Sequence, residues 1–125
     1  MKTLEQHLVN YASYHRDVRN IRTHFVGIPL IVLAVAQLLA QVPLGGGLTL
    51  LAPVLLASCA FYLALSRPLG LLMTVLMLLT GWAGTVLAAQ PGALWLGLLL
   101  FVLGWVIQFV GHWYEGRKPA FVDDL

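Results

Sequence analysis

The sequence predicts an all-α integral membrane protein, a four-helix bundle preceded by an amphipathic surface helix. Three observations carry this expectation. Of 125 residues, 60% are hydrophobic and only 10% charged, against roughly a quarter charged in a soluble domain. Four apolar runs follow one another, 25–42, 48–66, 69–89 and 93–113, each near the ~20 residues that span hydrocarbon. The separators are short and rich in helix breakers, Pro43-Leu44-Gly45-Gly46-Gly47, Arg67-Pro68 and Gln90-Pro91-Gly92, so successive helices are expected to run antiparallel.

The first element, residues 1–23, places Leu4, Leu8, Tyr11, Tyr14, Val18 and Ile21 at spacings of three and four, which describes one apolar helical face. Lys2, Arg16, Arg19 and Arg22 accompany it, as suits a helix lying on a bilayer surface. It lacks the early apolar core of a cleaved signal peptide, and is expected to stay in the mature protein. Pro29 disfavours helical geometry at Ile28 and removes a backbone donor, predicting a break between Asn20 and Pro29.

In the first span, Gln37 and Gln41 share a face and read as interhelical hydrogen bonders. Pro53 offsets the second. Gly81 and Gly84 on the third span, and Gly97, Gly104 and Gly111 at sevenfold spacing on the fourth, let neighbouring helices approach closely. Residues 114–125 form a polar tail. The length allows one domain, 1–125. The single cysteine, Cys59, sits in an apolar run and reads as a packing residue that has no intramolecular disulfide partner.

Charge gives the orientation. With four spans, all seven Lys and Arg residues (Lys2, Arg16, Arg19, Arg22, Arg67, Arg117, Lys118) fall on one side. The positive-inside rule makes that side cytoplasmic, with both termini there, in a bacterial inner membrane or in the endoplasmic reticulum of a eukaryote. The net charge of +2 rests on so few cations that no nucleic-acid partner is expected. Nothing in the sequence sets the oligomeric state; a homo-oligomer is allowed.

The chemistry concentrates where the first and fourth spans end. At ~100° per residue, Gln108, His112 and Glu115 project within roughly 60° of one another, with Gly111 beside them. His112 and Glu115, spaced i, i+3, can reach one ion. His24 opens the first span, with Asn20 four residues before it, and Tyr11 and His15 have the same spacing. On one continuous helix His15 and His24 would point about 180° apart, so the expected break lets both face one point. His15, His24, His112 and Glu115 make a set suited to Fe(II) or Zn(II). Tyr11, Asn20 and Gln108 stand behind it, and His7 reads as an exposed surface residue. Any one of these histidines alone reads more simply as an interfacial residue. Tyr14, Trp113 and Tyr114, and Tyr11 too, sit where an aromatic belt would place them.

The blocks Tyr11-x3-His15-x4-Asn20-x3-His24-x2-Gly27-x-Pro29 and Gln108-Phe109-Val110-Gly111-His112, with Glu115 and Pro119-Ala120 after them, resemble the membrane-embedded 2-hydroxy fatty acid dioxygenase family. The resemblance implies Fe(II)-dependent α-oxidation, in which a 2-hydroxy fatty acid and O2 give the acid one carbon shorter and CO2. It also implies that His15, His24 and His112 are the essential histidines. Arg19, Arg22 and Arg117 are candidates to attract the substrate carboxylate, although membrane anchoring already explains them. Other readings are a haem protein with His24 and His112 as axial ligands, a zinc-dependent lipid hydrolase with Glu115 as base, and a small non-enzymatic membrane protein.

Overall fold

The computed structural model describes residues 2–14 and 18–115, with side chains throughout except at 11–14 and 115. The fold is helical apart from one short hairpin: α1 Leu4–Tyr14, α2 Val18–Leu39, β1 Pro43–Gly45, β2 Leu48–Thr49, α3 Leu51–Leu65, α4 Arg67–Ala88 and α5 Ala93–Glu115. The chain forms two compact units, Met1–Ile31 with Val102–Leu125, and Val32–Phe101.

Helices α2, α4 and α5 are long and apolar enough to cross a membrane. At ~1.5 Å per residue, α3, with 15 residues, is about 22 Å long, short of the ~30 Å of hydrocarbon. The expected second span, 48–66, is trimmed at both ends for local reasons. Gly45, Gly46 and Gly47 have positive φ, a region L side chains avoid, and they turn β1 back onto β2 so that Leu48 and Thr49 are paired as strand. At the other end Ser66 is extended, and its hydroxyl accepts from the Leu69 amide at 3.4 Å. That caps α4, which then starts at Arg67 with Pro68 in its first turn, where a missing N–H costs nothing.

Within Val32–Phe101, α3 and α4 pack antiparallel through glycine. A Cβ on Gly70 would stand 2.5 Å from Leu63 Cα, and one on Gly81 would meet Leu55 at 3.2 Å. Gly84 lies against the α2 backbone at Ala36 and Gln37, and Gly97 of α5 lies against Gln37 and Leu38. Gln37 is fully buried. It donates through Nε2 to the Ala93 carbonyl at 2.6 Å and accepts from Gln41 Nε2 at 2.9 Å, so the expected interhelical hydrogen bond is present.

Two expectations about the start of the chain change. The helix does not break between Asn20 and Pro29: α2 is continuous from Val18 and holds Pro29 inside it. Residues 18–23 therefore belong to the spanning helix, and the separate amphipathic helix ends at Tyr14. The cost of Pro29 is the amide that the Phe25 carbonyl would have accepted from, and packing against α5 outweighs it. His7 is half-buried on α1 rather than exposed.

Burial is inverted relative to a soluble protein. Among the described residues the buried apolar ones are Ala34, Ala36, Leu51 and Cys59, whereas Asn20, His24, Gln37, Gln108 and His112 are buried and polar. Phe25, Trp82, Trp95 and Trp113 are exposed. Lipid around the helices makes this arrangement stable, because apolar side chains gain nothing by leaving hydrocarbon while polar ones must find partners inside.

Candidate active site

In the unit formed by Met1–Ile31 and Val102–Leu125, α2 and α5 face each other across glycines. A Cβ on Gly104 would stand 3.1 Å from the Ile31 nitrogen and 3.2 Å from the Gly27 oxygen. On Gly27 it would stand 2.7 Å from Gln108 Oε1, and on Gly111 it would collide with Thr23 Oγ1 and lie 2.5 Å from Asn20 Oδ1. Numbers rise along α5 as they fall along α2, so the pair is antiparallel. This close approach brings polar side chains of the two helices together.

His24 and His112 meet in that interface. Their ring centroids are 4.9 Å apart with planes at 81°, edge to face, and the residues are 6% and 5% exposed. One turn along, Gln108 lies against Gly27. On the other side Asn20 and Thr23 lie against Gly111.

The orientation of His24 is set by its own helix. Its Nδ1 is 2.8 Å from the Asn20 carbonyl oxygen. A carbonyl only accepts, so Nδ1 carries the hydrogen and, in the neutral ring, Nε2 presents its lone pair. The same carbonyl accepts from Thr23 Oγ1 at 2.7 Å. Asn20 thus holds the ring through its backbone, while its amide points at Gly111. At the ends of the two helices the Arg19 guanidinium carbon lies 4.2 Å from the Tyr114 ring centroid, a cation–π contact.

Of the residues marked out by sequence, His24, His112, Asn20 and Gln108 come together. Arg19 stacks on Tyr114, and Arg22 is exposed on α2. His15 and Arg117, and the side chains of Tyr11 and Glu115, lie outside the described residues. Among the described residues no group of three or more His, Cys, Asp or Glu is placed to hold a metal. Thr23 was missed, although a threonine three residues after Asn20 is a local signal for a bond back to that carbonyl. The partnership of Arg19 with Tyr114 has no local signal, since it joins opposite ends of the chain.

A family model described as 2-hydroxy-palmitic acid dioxygenase Mpo1-like matches residues 1–125. The chain belongs to the Mpo1-like family. It is similar to the protein of Saccharomyces cerevisiae (strain ATCC 204508 / S288c) named 2-hydroxy-palmitic acid dioxygenase MPO1, at 33% identity over 129 residues, covering 98% of this chain and 70% of the yeast one. No solved structure matches it. Family membership therefore rests on sequence, and the packing of α2 on α5 adds where His24 and His112 of this chain lie.

Proposed function

We propose that this Mpo1-like chain is a non-haem Fe(II) dioxygenase that shortens 2-hydroxy fatty acids by one carbon at the cytoplasmic face of a membrane. The observation that carries the reading is the buried pair His24 and His112 on facing helices, in a family whose yeast member is named for 2-hydroxy-palmitic acid.

The donor set fits a metal. Iron would be held by His24 through Nε2 and by His112, with His15 and Glu115 as further ligands from outside the described residues. The two rings, with centroids 4.9 Å apart in one buried contact, are near enough to belong to a single donor set. Bound Fe(II) would supply O2 activation and a chelation point for the hydroxyl and carboxylate of the acid.

The chain's own residues do the rest. The Asn20 carbonyl fixes the His24 ring and its tautomer, an outer contact that typically tunes a ligand's basicity. The glycine-lined contact of α2 with α5 excludes water from the rings. Arg19, Arg22 and Arg117 attract the carboxylate, and the alkyl tail lies along apolar helix surface. The reaction balances as RCH(OH)COOH + O2 → RCOOH + CO2 + H2O. The organic acid supplies all four electrons, so no reductase is required.

The test is purified protein in detergent with Fe(II), O2 and 2-hydroxypalmitate, followed by mass spectrometry of the acids. The fifteen-carbon acid should appear only when both Fe(II) and O2 are present. Folded, iron-loaded protein that yields no shortened acid would end this reading.

A further inference from the structure

The amide of Gln108 is 6% exposed, and its Oε1 is buried without a hydrogen-bond partner. Such a group is costly in a low-dielectric interior, and a native structure that retains one invites an explanation. Gln37 provides the contrast, a buried amide bonded on both sides to protein. Nor does Oε1 accept from the ring of His112, one turn further along the same helix face, since it has no partner. Gly27 is what lets the amide pack there, for a Cβ on it would stand 2.7 Å from Oε1.

Its place along α5 suggests what the amide awaits. From Val102 to Ile107, within the same unit, the helix carries apolar side chains, Gly104 and Trp105. Gln108 is the first strong hydrogen-bonding group after them, and His112 follows about 6 Å along the axis. A fatty acid lying with its tail on the apolar stretch and its carboxylate towards Arg19 and Arg22 presents its 2-hydroxyl on the tail side of the carboxylate. An ionised carboxylate accepts only, so the hydroxyl is the one donor in that head group.

We infer that Gln108 Oε1 accepts a hydrogen bond from the 2-hydroxyl and is the specificity-determining residue that separates 2-hydroxy acids from unsubstituted and 2-oxo acids. This rests on the dioxygenase reading of the same site. The test measures equilibrium binding of 2-hydroxypalmitate, palmitate and 2-oxopalmitate to metal-free protein in micelles, for the wild type and Q108L, alongside thermal midpoints and turnover. The wild type should prefer the hydroxy acid by about tenfold or more. Q108L should bind all three alike, with an unchanged or higher midpoint because the unbonded amide is gone. If Q108L keeps the preference, whether or not its midpoint falls, the amide is structural or holds only a water, and the inference is overturned. A wild type that turns over 2-hydroxypalmitate without preferring it in binding overturns it too. A wild type that neither prefers nor shortens the hydroxy acid removes the dioxygenase reading itself. Should Q108L not fold, Q108M gives the same readout.

Discussion

A helix carbonyl that accepts from two side chains is a small detail with a chemical result at His24. The Asn20 oxygen takes both the Nδ1 hydrogen of His24 and the hydroxyl of Thr23, so the lone pair of the neutral ring is directed by the backbone. Replacing either His24 or His112 by alanine should remove bound iron and cut turnover by about a thousandfold or more, measured as metal per protein and as product by mass spectrometry, because a two-imidazole core does not survive loss of one member. Gly111→Ala should cost about 1–3 kcal/mol of stability, since its Cβ meets Thr23 and Asn20 and overpacking of that kind is rarely absorbed. Thermal or denaturant unfolding in detergent checks it. At this scale the sequence is a good guide to which residues matter: Gln108 and His112 stand out as polar groups in an apolar run, and Asn20 and His24 by their i, i+4 spacing at the mouth of another. What it hides is how they are used. Asn20 holds the His24 ring through its backbone carbonyl, and Arg19 finds Tyr114 from the far end of the chain.

The helices show where local rules hold and where packing overrides them. The apolar runs and the breakers between them mark α4 and α5 closely, because length and hydropathy are read by the bilayer directly, whereas α2 starts seven residues before its apolar run. Proline is the exception. At Pro29 the local rule predicts a break, yet α2 continues through it, since Gly104 of α5 meets the α2 backbone on either side of it, at Gly27 and Ile31. The start of α3 was misplaced for the opposite reason. Leu48 and Thr49 belong to an apolar run, but the three left-handed glycines before them commit the chain to a hairpin. Gln37→Leu should cost about 1–3 kcal/mol, because the Gln41 amide loses its buried acceptor and the α2-to-α5 bond to Ala93 is lost. The readout is again the unfolding midpoint. A neutral result would mean that the amide contributes no more than the leucine that replaces it.

Among the described residues several polar side chains are buried and many large apolar ones are exposed, the pattern of a protein whose solvent is lipid or detergent. Chelation of iron should abolish turnover, and Fe(II) but not Zn(II) should restore it, as expected where O2 chemistry and not hydrolysis is at work. Both outcomes are read from the yield of shortened acid. The helix α3 adds a mechanical consequence. Beside α4, with 22 residues, it falls about 10 Å short at 1.5 Å per residue. A membrane that fits one helix is thus too thick for the other. Acyl chains next to α3 must compress, or its flanks be drawn inward, each at a fraction of a kcal/mol per ångström. The protein should accordingly unfold at higher temperature in vesicles of fourteen-carbon lipids than of twenty-carbon lipids, and it would act in the cell as a local dimple in the bilayer.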